Sequence, residues 1–271
     1  MIKTFEDIIN DFEPKTPYHM LLGYDEQGHI YSHDLLQHGH ILMSGTTGSG
    51  KSIVMKEMLL SLMMQHTPET LELVFYDPKK IEFANFAQSS FIHHHSASYE
   101  DVVPYINQLF DIFRYRKTLF SKYQCKNIQT YNDYAQDNHL ETLPMHVVFV
   151  DEYTELYNAL KNNNNNETMK RLRGLLQQSQ AYGIYFIIAT QSPRKNVIGV
   201  IKNDIPSRIG MALNNEVESI VAIDEPGAER LPYHGAMLYR TSPLQAFQRI
   251  QAPFVSDEEL DEIVKSLNYS H

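Results

Sequence analysis

Apolar positions along the chain come in blocks rather than in strict alternation. Four short apolar runs, His40 to Ser44, Leu71 to Tyr76, His146 to Val150 and Gly183 to Ala189, each give way to a small or charged residue. Runs of this length with no polar face predict strands buried on both sides, as in a parallel sheet. The stretches between them carry helical spacing and predict helices over Ser52 to Gln65, Glu100 to Tyr123 and Glu167 to Ala181. Strand and helix in succession predict an α/β fold with a mainly parallel central sheet flanked by helices. Shorter flanking strands are expected at Ser207 to Leu213 and Ala236 to Arg240, and Ser256-Asp-Glu-Glu259 has the capping pattern that opens a last helix.

Composition narrows this picture. Across 271 residues, 42% are hydrophobic and 21% charged, the balance of a folded globular chain. The lone cysteine, Cys125, excludes an intramolecular disulfide, and no basic start with an apolar run marks a signal peptide. A cytoplasmic location is therefore expected. A net charge of −10 argues against a surface that binds nucleic acid everywhere, but leaves room for a local basic patch. Five consecutive asparagines, Asn162 to Asn166, predict an exposed loop between two helical stretches. His93 to His95 lack partners at metal-site spacing and are expected in a loop, while Met63 and Met64 are expected to fill the core.

The chemistry lies at the ends of the apolar runs. Gly45-Thr46-Thr47-Gly48-Ser49-Gly50-Lys51-Ser52 matches the phosphate-binding pattern G-x-x-x-x-G-K-[ST], placed between a strand and a helix. Its glycines let successive N–H groups, and the positive end of the next helix as far as Ile53, face a triphosphate. Lys51 is expected to reach the β- and γ-phosphates and the Ser52 hydroxyl to ligate Mg²⁺, making ATP and Mg²⁺ the expected cofactors. A hundred residues later, Asp151 and Glu152 end a second strand. Asp151 is expected to hold the magnesium through its water shell and Glu152 to act as general base. Gln191, after Ala189-Thr190, is expected to sense the γ-phosphate or orient water, and Asp77-Pro-Lys-Lys80 ends a further strand at the same edge.

With GTTGSGKS, DPKK, VVFVDE, GIYFIIATQSP, VIGVIKNDIPSRIG, DEPGAERL, HGAMLY and FVSDEELDEIVKSL in this order, the sequence resembles the motor domain of the FtsK/SpoIIIE family, within the HerA–FtsK group of P-loop ATPases. The likeness spans Tyr18 to Leu267. It implies a RecA-like core occupying residues 39–271, behind a lead-in of residues 1–38. It also implies a homo-oligomeric ring, commonly a hexamer, that drives double-stranded DNA through its channel. DNA contacts are then expected from Lys161 with the asparagine run and from Arg194, Lys195 and Lys202. Where the family carries arginines, this chain has Gln180, Ser192 and Ile220; Arg208 remains as the expected catalytic arginine. The resemblance further implies a stand-alone motor for conjugative, plasmid or phage DNA transfer, with a relaxase, a replication protein or a membrane complex as partner and recruiter. The absent arginines leave an alternative, an ATP-switched module that docks such a partner without processive movement.

Overall fold

The computed structural model describes residues 2–269. In chain order the elements are α1 (Phe5–Ile9), β1 (His19–Tyr24), β2 (Ile30–Asp34), α2 (Leu35–His38), β3 (Ile41–Ser44), α3 (Lys51–Met63), β4 (Leu71–Tyr76) and β5 (Ile92–Ser96). Then come α4 (Tyr99–Tyr123), α5 (Ile128–Asp137), β6 (Met145–Val150), α6 (Tyr153–Asn162), α7 (Asn166–Gln178), β7 (Ile184–Thr190) and α8 (Lys195–Ile198). The chain closes with β8 (Ser207–Met211), α9 (Glu216–Ile223), β9 (Ala236–Arg240), β10 (Gln248–Gln251) and α10 (Asp257–Tyr269).

All of these strands join one ten-stranded sheet in the order β2-β1-β10-β9-β8-β3-β7-β6-β4-β5. From β8 to β5 the neighbours are parallel. From β8 to β2 they are antiparallel. The parallel half is the α/β core expected from the apolar runs. The antiparallel wing includes β1 and β2, so residues 19–34, set apart in the sequence as a lead-in, are hydrogen-bonded into the same sheet.

Side-chain alternation splits the core into two layers. Met43, Phe75, Phe149 and Ile187 face the side covered by α3, α5 and α10, whereas Leu42, Val74, Val148 and Ile188 face α4, α6, α7 and α8. Helix α3 packs along β1 and against α10, and even its Lys56 and Glu57 are buried. Met63 fills this layer as expected, but Met64 is about half exposed because the helix ends there.

One expectation changes in position. The histidines at 93–95 form edge strand β5 instead of a loop: the His94 ring stacks on Tyr105 at 5.0 Å, and His93 Nδ1 lies 3.5 Å from Glu72. Among the described residues no group of three acidic, histidine or cysteine side chains is placed to hold a metal. The asparagine run makes the expected connection between two helices: Asn162 ends α6, Asn163 to Asn165 form a tight turn with Asn164 at φ 54°, and Asn166 opens α7.

The antiparallel wing carries a pH-sensitive core residue. His33 is fully buried; its Nε2–H donates to the Gly39 carbonyl at 2.9 Å, and its Nδ1 meets the Tyr239 hydroxyl at 3.0 Å. Burial pushes its pKa down to about 3, so the folded state holds it neutral while the unfolded chain protonates it near pH 6.5. Its contribution is complete above that pH and is lost as pH falls toward 3. By linkage, His33 should cost about 1 kcal/mol at pH 5.5 relative to pH 7.5. Urea unfolding should show the midpoint falling between these pH values, with a smaller fall in His33→Gln.

Candidate functional site

The parallel strands end within two residues of one another, which gathers the chemistry at one edge. Ser44 pairs with Thr190, Ile188 with Val150, and Val150 with Tyr76. The residues that follow, Gly45, Gln191, Asp151 and Asp77, therefore leave the sheet side by side, at the carboxyl edge where ligands bind in such folds.

The glycine-rich segment after β3 is fastened to its neighbours at three points and closed by one bond of its own. Gly45 N–H donates to Thr190 O (3.2 Å), Thr46 N–H to Ala212 O (2.9 Å), Ser49 N–H to Thr46 O (3.1 Å), and Ser49 O accepts from Gly235 N–H (2.8 Å). Thr47, Gly48 and Gly50 make no such backbone donation among the described residues, and the first N–H groups of α3 have no intrahelical acceptor. These donors border a cavity of about 290 Å³ lined by Thr46, Thr47, Gly48, Gly50, Lys51, Ser52, Ile53, Glu82, Gln191 and His234. An array of amide donors at a helix N-terminus is an anion site.

Lys51 is held at the base of the segment, its ammonium 2.6 Å from Asp151 Oδ1 and 3.1 Å from the Asp151 carbonyl. Both side chains are buried. Gln191 reaches back to the loop, its Oε1 accepting from the Thr47 hydroxyl at 3.2 Å. Glu152, expected to serve as base, has both carboxylate oxygens engaged. Oε1 accepts from the Thr190 hydroxyl (2.7 Å) and Thr154 N–H (3.1 Å), and Oε2 from Gln191 N–H (2.8 Å). It caps α6 and ties β6 to β7, and it does not line the cavity.

Arg208 lies in the interior of the fold. Burial lowers its pKa to about 10, and its guanidinium donates to the carbonyls of Ser207 and Lys202. Lys202 is likewise engaged, 2.7 Å from Asp224 Oδ1 and donating to the carbonyl oxygens of Ile220 and Val221 at the end of α9. Lys161, Arg194 and Lys195 are exposed, on the side of the sheet where α6 packs against α8. Of the expected DNA-contacting cations, these three make no ion pair or side-chain hydrogen bond among the described residues, whereas Lys202 makes both.

Glu82 and His234 were not expected at the site. Glu82 follows the DPKK segment by two positions, and His234 opens the HGAMLY block. The sequence mark at His234 is the glycine behind it: in the structure His234 (φ 70°) and Gly235 (φ 96°) make the sharp turn that lies against Gly50. Glu82 has no such mark, being one acid in a mixed loop.

Comparison with known proteins agrees with this arrangement. The model of the FtsK/SpoIIIE family matches residues 12–197. DNA translocase FtsK of Helicobacter pylori strain J99 is 33% identical over 253 residues, covering 92% of this chain but 29% of its own length. That of Campylobacter jejuni is 34% identical over 259 residues, covering 93% of this chain and 26% of its own. The chain thus spans less than a third of either relative. Among solved structures, the pCW3 conjugation coupling protein TcpA, in its monomer form with ATPγS, superposes with a TM-score of 0.81 at 22% identity, over 95% of this chain and 72% of its own. The cytoplasmic domain of the Thermomonospora curvata type VII secretion ATPase EccC gives 0.82 at 20%, over 99% of this chain and 34% of its own. The fold is that of these ATPases, with a mostly parallel sheet between helices.

Proposed function

Because this chain belongs to the FtsK/SpoIIIE family, we propose that it binds ATP in the cavity under Gly45–Ser52 and couples its hydrolysis to movement of double-stranded DNA. The observation that carries this reading is the meeting of three strand ends at one anion site, with Lys51 against Asp151 and Gln191 against Thr47. Phosphates would take the free amide donors and draw Lys51 from Asp151 onto their oxygens. Magnesium fits the residues present: the Ser52 hydroxyl lines the cavity, and the Asp151 carboxylate lies beside the lysine that flanks it. Two hard oxygen donors suffice for an ion that keeps most of its waters, and when bound it would neutralise charge on the β- and γ-phosphates.

A motor that moves DNA of any sequence grips phosphates and does not read bases. Lys161, Arg194 and Lys195 supply exposed cations for that grip, and assembly into a ring would multiply them around one duplex. The setting proposed is transfer of conjugative, plasmid or phage DNA, with recruitment by a partner protein.

One observation favours a second reading. Lys202 and Arg208, two of the cations expected to serve DNA or a neighbouring copy's nucleotide, are occupied inside the fold. An ATP-switched docking module would need neither. Phosphate release with and without duplex DNA separates the two: a motor should hydrolyse ATP severalfold faster with DNA, with the stimulation fading as salt rises. An unchanged rate, together with ATP-dependent and DNA-independent capture of a relaxase or replication protein, would establish the docking module instead.

A further inference from the structure

We propose that the turn at Tyr233 and His234 is the platform on which the nucleobase stacks; this rests on the reading that the cavity holds ATP. The cavity is small for a whole nucleotide. Its volume of about 290 Å³ lies at the lower end of the ~300–1,000 Å³ common for ligand pockets, and the phosphate loop, with Lys51 and Ser52, makes up most of its lining. A base joined to phosphates held there must lie at the mouth, where the rim decides what it meets. Among the described residues His234 is the only ring-bearing side chain in that lining. Tyr233, one position earlier, is 50% exposed, and a Cβ on Gly48 would stand 3.6 Å from its ring.

The turn is fastened while its rings are not. Gly235 N–H donates to Ser49 O (2.8 Å) and Gly235 O accepts from Ala252 N–H (2.9 Å), which ties the turn to the phosphate loop on one side and to the residue after β10 on the other. The His234 carbonyl accepts from Gln251 Nε2 (2.9 Å). A φ of 70° at His234 is sparsely populated by residues with a Cβ, and such backbone recurs at ligand clamps. Neither side chain forms a hydrogen bond, ion pair or ring contact among the described residues. Two rings at the mouth of an anion site, with nothing of their own to hold, suit a flat π-surface. Stacking uses the face of a base and not its edge, so adenine and guanine should gain alike.

The test measures the affinity of ATPγS, GTPγS and inorganic tripolyphosphate for the unaltered chain, Tyr233→Phe, Tyr233→Ala and the double variant Tyr233→Ala/His234→Asn, with the urea midpoint of each. Asparagine removes the second ring and tolerates positive φ as histidine does. The double variant should bind both nucleotides roughly 5- to 150-fold more weakly, the usual worth of a base–aromatic stack, with Tyr233→Ala in between and Tyr233→Phe within about twofold of the unaltered chain. Tripolyphosphate affinity and urea midpoint should stay put throughout, because the phosphate loop is untouched and both side chains are exposed. Nucleotide affinity of the double variant within twofold of the unaltered chain would overturn the proposal. So would a loss of tripolyphosphate binding in step with the nucleotides, which would make the turn a brace for the phosphate loop. If the unaltered chain binds neither tripolyphosphate nor ATPγS, the ATP reading fails first and the proposal with it.

Discussion

Lys51→Ala should lose both its nucleotide and part of its fold. In the structure, Lys51 and Asp151 form a pair at 2.6 Å, the two side chains only 4% and 2% exposed. Breaking a buried ion pair by deleting one partner leaves a charge stranded in low dielectric, and costs roughly 3–5 kcal/mol. Asp151 sits at the sheet edge, where water can reach it in part once the lysine is gone, so a loss near 3 kcal/mol is expected. The same deletion removes charge-assisted bonds to phosphate, each worth about 1.5–3 kcal/mol, or about 10- to 100-fold in affinity. Urea unfolding and a fluorescent-nucleotide titration read the two effects separately. Adding Asp151→Asn should restore stability without restoring binding; a single variant as stable as the unaltered chain would show that the pair contributes nothing to the fold.

Gly50→Ala attacks the same site through the backbone. Gly50 has φ 96°, in the left-handed region, and a Cβ there would lie 2.6 Å from the amide nitrogen of Gly235. The backbone conformation alone costs about 1–2 kcal/mol for a residue with a Cβ, and overpacking against main chain adds another ~1–3. Nothing flexible can yield, because Gly235 is itself pinned by its bond to Ser49 O. We expect a loss of about 2–4 kcal/mol in urea unfolding and at least a tenfold weaker ATPγS affinity, since the turn at His234 would be pushed off the loop. An unchanged affinity would show that the His234–Gly235 turn does not shape the cavity.

The parts of this fold that could be read from sequence are those whose information is local. Strands β3, β4, β6 and β7 are buried on both faces, so their apolar runs mark them directly, and α4 follows from its spacing to within a residue. Strand β9 falls at the expected residues as well. Strands β2, β5 and β10 carry no apolar run because wing and edge strands mix polar with apolar residues, β5 reading Ile-His-His-His-Ser; β1, His-Met-Leu-Leu-Gly-Tyr, is buried but its apolar run is only three residues long. Helix α5 was missed for a similar reason, having only Ile128, Tyr131 and Ala135 buried.

At the site, the loop Gly45–Ser52 and the acids after β6 were legible because a strand, a turn and a helix follow one another in the chain. What each acid touches was not. Asp151 and Glu152 differ by one position, yet one meets Lys51 and the other braces Thr190 and Gln191, since successive residues leave a strand on opposite faces. Glu82 and His234 come from loops far away in sequence, and the sheet order alone brings them to the cavity rim. The same holds for Arg208 and Lys202, whose occupation depends on where α9 ends.

The two terminal strands of the sheet, β2 and β5, each leave one side without a strand neighbour. An open edge invites another chain to add itself, which is how sheets fuse into aggregates. Here both edges are short, five residues each, and partly polar: β5 carries three consecutive histidines, with His93 beside Glu72 of the next strand, and β2 has half-buried Tyr31 and Ser32. Such edges resist being templated. If copies of this chain assemble as proposed, they would be expected to meet through helices and loops and not by extending one another's sheets.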